Sequence, residues 1–189
     1  TNPSKKMGRG QKFVDTPVKI LAKNYKLEII ECDNLLDEGF IKKLKDMNPD
    51  LFIVVAYKIL PKSLLSIPRY GAINLHSSLL PKYRGAAPIQ RVILNKEQVT
   101  GVSTFLIEPK VDTGKIIEQA KCNIDKNDNY GTLSEKLSHV GADLVISSID
   151  KYLNKKIEPY LQDESFVTLA PKIIKEEFLI DWNKEGSDI

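Results

Sequence analysis

The sequence predicts an α/β protein, an open and mostly parallel sheet with helices on both faces, on three observations. Two short apolar runs rich in β-branched residues, Leu51-Phe52-Ile53-Val54-Val55-Ala56 and Ala72-Ile73-Asn74-Leu75, are bounded by Pro or Gly, the pattern of strands buried on both faces. Val18 to Tyr25 and Phe40 to Met47 carry apolar residues at three- and four-residue spacing, with Ile41, Leu44 and Met47 on one stripe, the pattern of covering helices. With Leu27 to Ile30 as a further strand, helix and strand alternate through the first half of the chain.

The second half adds two extended segments and a long helix. Gly101 to Ile107 and Lys115 to Cys122 are extended segments joined by the loop Glu108 to Gly114, a hairpin-like extension of the sheet. Thr132 to Leu153 reads as a long helix with Leu133, Leu137, Val140, Leu144 and Ile149 near one face and Thr132/Glu135 as its capping box. Gly141 inside it costs about 1 kcal/mol against Ala and implies close packing on the sheet. From Glu158 onward the pattern loosens, so residues 1–157 read as one domain and 158–189 as a surface-crossing tail, a linker towards something absent. The opening Thr1-Asn2-Pro3-Ser4 reads as a loop that follows a strand, leaving the sheet short of a first βαβ unit.

Composition excludes several classes. An apolar share of 42% suits a real core within one domain of 189 residues. No window approaches the roughly 18–20 apolar residues of a spanning helix, and no signal peptide is recognisable, so the expectation is a cytoplasmic protein with no membrane partner. Cys32 and Cys122 lack metal or disulfide spacing, and His76 and His139 lie far apart, so no metal is expected. Net charge is only +3, but Lys5, Lys6, Arg9, Lys12 and Lys19 concentrate positive charge in the opening segment against Asp15 alone.

The chemistry sits at the end of the second apolar run, in Asn74-Leu75-His76-Ser77-Ser78-Leu79-Leu80-Pro81, answered downstream by Val111-Asp112-Thr113-Gly114. Side chains at the end of a parallel strand face the crevice where open α/β sheets bind ligands. Asn74 and His76, two apart, project to the same side. An amide can hold an oxyanion, an imidazole can move a proton, and a carboxylate, Asp112, can orient and stabilise the imidazolium. Pro81 stiffens the following turn, and Leu79 and Leu80 supply an apolar wall. No G-x-S-x-G elbow is present, so Ser77 and Ser78 are not hydrolase nucleophiles. An amine with a pKa of roughly 7.7–8.0 needs less activation than a hydroxyl, which points to transfer of an acyl group to an amine.

Each residue also has a plainer reading. A lone histidine at a strand end is more often structural than catalytic, Asp112 in a Gly-ended loop suits an Asx turn, Ser78 suits a turn, and Leu79 and Leu80 suit a core. Arg9 between glycines suits a solvated charge, and His139 suits helix packing or surface. The spacing of Asn74, His76, the Leu-Leu-Pro turn and Asp112 outweighs these for the trio.

The stretch from Asn74 to Gln90, Asn-Leu-His-Ser-Ser-Leu-Leu-Pro-Lys-Tyr-Arg-Gly-Ala-Ala-Pro-Ile-Gln, resembles the signature of the folate-dependent formyltransferases, specifically of the branch acting on methionyl-tRNA. Gly8-Arg9-Gly10-Gln11-Lys12, Thr16-Pro17-Val18-Lys19, Val54-Val55-Ala56-Tyr57, Ile59-Leu60-Pro61, Val111-Asp112-Thr113-Gly114, Gly131-Thr132-Leu133 and Ile180-Asp181-Trp182 follow in the family's order. The resemblance implies a Rossmann-like catalytic domain that uses 10-formyltetrahydrofolate as formyl donor and the amino group of initiator methionyl-tRNA as acceptor. It implies Asn74, His76 and Asp112 as catalytic residues and Ser78, Leu79, Leu80 and Pro81 as the folate motif. Tyr57, Ile59, Leu60 and Val111 would enclose the pterin, and Arg9 and Lys12 would bind tRNA. A monomer is expected. Ala56-Tyr57-Lys58-Ile59-Leu60-Pro61 departs from the family pattern, being one residue shorter and lacking its Gly. Alternatives within reach of the same residues are a formyltransferase for a sugar amine or other small amine, and a non-catalytic folate- or RNA-binding remnant.

Overall fold

The computed structural model describes residues 1–7, 11–180, 182–183 and 185. Its contacts divide into one unit of residues 1–52 and 56–72 and a second of residues 53–55 and 73–189. Arg9 and Asp181 lie outside the described residues, as does the side chain of Lys12.

In the first unit, β1 (Lys5–Met7) and β2 (Lys12–Val14) pair antiparallel, so the basic opening segment forms a small hairpin that periodicity did not signal. The two expected helices form as α1 (Pro17–Asn24) and α2 (Glu38–Asp46). Both are started by local chemistry. Thr16 accepts from the Lys19 N–H with Pro17 following, and Asp37 accepts from the Phe40 N–H at 2.7 Å. Leu27 to Ile30 is not a strand. Its end instead meets the first residue of the chain, the Thr1 amino group donating to the Ile30 carbonyl at 2.9 Å and the Cys32 N–H to the Thr1 carbonyl at 3.2 Å. Four residues of strand-like composition do not make a strand here, because a ladder needs a neighbour that periodicity does not specify. The short helix α3 (Lys62–Leu65) closes over a small core of Cys32, Leu35 and Leu64.

The second unit carries the sheet, in the order β3 (Phe52–Val55), β4 (Ala72–His76), β5 (Val99–Leu106), β6 (Ile116–Asn123). The open α/β class holds, with a mixed sheet, because β4–β5 and β5–β6 both run antiparallel. The β5–β6 pair is the expected hairpin, whose connection is too short for a parallel crossover. The helix α4 (Pro88–Leu94) was not foreseen, and Pro88 in its first turn suits a helix start.

The long helix α5 (Tyr130–Leu153) begins two residues earlier than predicted. Its capping box is Asn129 with Thr132 rather than Thr132 with Glu135, since the Asn129 carboxamide already accepts from the Gly131 and Thr132 N–H groups. Leu133, Leu137 and Leu144 bury one face of α5 in a core with Tyr83, Ile89, Val92 and Val102. Gly141 meets the sheet as expected: a Cβ there would lie 2.7 Å from Leu75 Cδ2.

Candidate active site

The second unit places Asn74 and His76 two apart on β4 and brings Asp112 beside His76 at the strand's end. Register places Asn74 opposite Phe105 and His76 opposite Ser103 on β5. The Asn74 carboxamide is half-buried and makes no hydrogen bond among the described residues, which leaves its donor available. His76 is buried, and its Nε2 lies 2.8 Å from the Tyr83 carbonyl. A carbonyl only accepts, so Nε2 carries the proton and Nδ1 is the nitrogen left to gain one.

That Nδ1 faces Asp112. The separation to Oδ2 is 3.8 Å, an ion-pair distance rather than the expected hydrogen bond. The same Oδ2 accepts the Gly85 N–H at 2.8 Å. The carboxylate is therefore aimed by the backbone of the Arg84-Gly85 turn and stands beside the imidazole.

The geometry of Asp112 has its own causes. Its φ is +54°, a left-handed conformation that Asp tolerates better than most residues. Two residues on, only glycine fits: a Cβ at Gly114 would lie 1.6 Å from the Leu106 carbonyl oxygen.

The residues of the expected folate motif are tightly locked. The Ser78 hydroxyl is fully buried and donates to the Lys82 carbonyl at 2.6 Å. Ser103 donates to the Ser78 carbonyl at 2.6 Å and accepts the Leu80 N–H at 3.0 Å, while the Gln119 amide donates to both the Leu80 carbonyl and Ser103 Oγ. Leu80 shares a buried cluster with Phe105 and Ile116, and Leu79 packs over Gly101. The side chains of Ser78 and Leu80 are thus committed to holding the turn. Pro81 is half-buried, and Val111 is half exposed beside Asp112.

Tyr57, Ile59 and Leu60 belong to the first unit. Tyr57 is half-buried with its hydroxyl 3.5 Å from the Cys32 carbonyl, and burial raises its pKa. Ile59 is largely exposed, and Leu60 packs on the Cys32, Leu35 and Leu64 core. Lys58, in the segment that lacks the family's Gly, donates to the Asp33 carbonyl at 2.6 Å.

Several partners of the candidate site carry no signal in the sequence. The Tyr83 carbonyl and Gly85 N–H are backbone groups with no side-chain signature. Tyr83 itself is buried, its pKa raised by burial and by its bond to Glu97 at 2.6 Å. Arg84 is buried beside Gln162 and Glu164, and its guanidinium holds the Glu164 carboxyl below its usual pKa. These partners lie about eighty residues along the chain, beyond any spacing argument. Among the described residues, no group of three or more His, Cys, Asp or Glu side chains could hold a metal, and no helix is long and apolar enough to cross a membrane.

Comparison with known proteins gives the same chemistry a family. Residues 1–149 match the family model described as formyl transferase. A methionyl-tRNA formyltransferase of Thermodesulfovibrio yellowstonii is 47% identical over 190 aligned residues, covering 100% of this chain and 61% of that protein. The chain thus spans about three fifths of that relative's length. Among solved structures, phosphoribosylglycinamide formyltransferase from Bacillus halodurans superposes with a TM-score of 0.66 at 26% identity, covering 75% of this chain and 79% of that one. The formyltransferase PseJ from Anoxybacillus kamchatkensis, solved with a formamido sugar nucleotide and tetrahydrofolate, has the same fold, with a TM-score of 0.66 at 24% identity over 85% of this chain and 83% of that one. The expected Rossmann-like architecture is the one these structures share with it. The chain belongs to the formyl transferase family.

Proposed function

We propose that this chain is the catalytic part of a methionyl-tRNA formyltransferase, moving a formyl group from 10-formyltetrahydrofolate to the amino group of methionine on initiator tRNA. One observation carries the chemistry: His76 is held by the Tyr83 carbonyl with its Nδ1 turned to Asp112 at 3.8 Å, two residues from an Asn74 carboxamide that has no protein partner among the described residues. The choice of tRNA as acceptor is supported by the extent of similarity to a methionyl-tRNA formyltransferase along the whole chain and by the basic opening segment.

The amine adds to the formyl carbon and the carbonyl oxygen gains charge, which the Asn74 N–H stabilises by donation. The proton released by the amine passes to the His76/Asp112 pair, where the carboxylate stabilises the imidazolium. The bond from the formyl carbon to N10 of the folate then breaks, and the pair returns the proton to that nitrogen. Atoms balance with no covalent enzyme intermediate, which agrees with the absence of a hydrolase elbow around Ser77 and Ser78.

The test is Asn74→Ala in the full-length protein, assayed by formylation of methionyl-tRNA. Loss of one oxyanion donor lowers kcat by on the order of 10²–10³. An unchanged rate overturns the oxyanion role. A second reading, the same transfer to a sugar amine or another small amine, is favoured by the likeness to phosphoribosylglycinamide formyltransferase. Arg9→Ala separates the two, because formylation of tRNA then falls while that of a small amine does not.

A further inference from the structure

We propose that Gln162, in the segment after α5, is the positioning residue of the active site, setting the place of Asp112 through the backbone of its loop. The inference rests on the reading of Asp112 as a catalytic group. Gln162 is 8% exposed and uses both ends of its amide. Nε2 donates to the Asp112 carbonyl at 2.9 Å and to the Gly114 carbonyl at 2.8 Å. Oε1 accepts from Arg84 Nε at 3.0 Å and from Arg84 Nη2 at 2.7 Å. Carbonyls only accept and a guanidinium only donates, so this amide orientation alone satisfies all four contacts.

The consequence is a closed circuit. Arg84 lies in the turn that carries the Tyr83 carbonyl, which holds His76 Nε2, and the Gly85 N–H, which holds Asp112 Oδ2. Gln162 ties the same turn to the Asp112 loop from the other side. The turn itself is fixed by backbone bonds to the tail, the Arg84 N–H donating to the Thr168 carbonyl at 2.9 Å and the Ala170 N–H to the Arg84 carbonyl at 2.7 Å. Asp112 has a φ of +54°, and the buried amide supplies two hydrogen bonds that hold its loop in that conformation. The segment after α5 therefore acts on catalysis from outside the trio.

The experiment uses Gln162→Met, of similar size, and Gln162→Glu in the full-length protein. The Glu variant keeps an acceptor for Arg84, so it folds with a urea midpoint near that of the parent, but it sets oxygen against two carbonyls. Amide hydrogen exchange at Gly85 should accelerate by at least about tenfold in both variants, the factor for losing a hydrogen bond to a carboxylate, while β5 amides stay protected. Formylation should lose about 10² in kcat, the effect of misplacing a group by an ångström, with the KM for the folate nearly unchanged. Added to Asp112→Asn, the Gln162 change should cost nothing more. Unchanged Gly85 exchange, or a loss that adds in full to Asp112→Asn, overturns the proposal. If the parent protein transfers no formyl group, the functional reading fails, and Gly85 exchange still decides the positioning.

Discussion

The two units use their apolar residues differently. In the second, α5 buries Leu133, Leu137 and Leu144 against β5, β6 and α4, and Phe105, Ile116 and Ile117 are sealed within the sheet. In the first, neither α1 nor α2 contains a buried residue, and Val18, Ile20, Leu21 and Tyr25 stand exposed. The helices form all the same, because capping by Thr16 and Asp37 and the Pro17 start are local. A periodic stripe specifies a helix. It does not specify what, if anything, the stripe touches.

Substitutions that delete side chains should divide along that line. Leu137→Ala, in the second unit's core, should lower stability by about 2–5 kcal/mol in urea unfolding, the cost of a buried cavity. Leu21→Ala on α1 should change it by no more than about 0.5 kcal/mol. Equal effects would mean that the stripe of α1 is buried in solution. Gly114→Ala sharpens the contrast within the second unit, since the added methyl must displace the Leu106 carbonyl. A loss of about 1–3 kcal/mol is expected, with formyl transfer falling further than stability because Asp112 shifts with the loop.

Smaller effects come from polar groups. Asp37→Ala removes the α2 cap and should cost about 1 kcal/mol, read as loss of helical circular dichroism at a lower urea concentration. Glu118 gives the second unit a pH signature. Burial alone would raise its pKa, but Lys151, Ser147 and Ser148 outweigh burial and hold it below the usual 4.5. A carboxyl with a depressed folded pKa contributes stability above its unfolded value, and that contribution disappears as pH falls through the folded one. Acid unfolding of the parent should therefore be steeper below pH 4.5 than that of Glu118→Gln, and parallel curves would show that the network adds nothing.

Much of the site was legible because its side chains cluster along the chain. Asn74 and His76 share a strand face by the two-residue period, and the Gly after Asp112-Thr113 marks a loop that the fold uses through the close approach at Gly114. The roles of Ser78 and Leu80 were less legible. A serine and a leucine in a turn look alike whether they meet a ligand or the core, and here Ser78 is sealed against Lys82 while Leu80 joins Phe105 and Ile116. Leu27 to Ile30 shows the same limit from the other side, a strand-like segment without a ladder.

By itself, the sequence determined that α1, α2 and α5 are helices, though not where they begin, and the β5–β6 hairpin, and it picked out the candidate amide, imidazole and carboxylate, because periodicity and short turns act between near neighbours. Only the tertiary structure decided the antiparallel register of β4 on β5, the tautomer of His76 through the Tyr83 carbonyl, and the clasp of Gln162 on Arg84 and the Asp112 loop. Those depend on backbone groups and on partners many residues apart, which meet only when the chain has closed on itself.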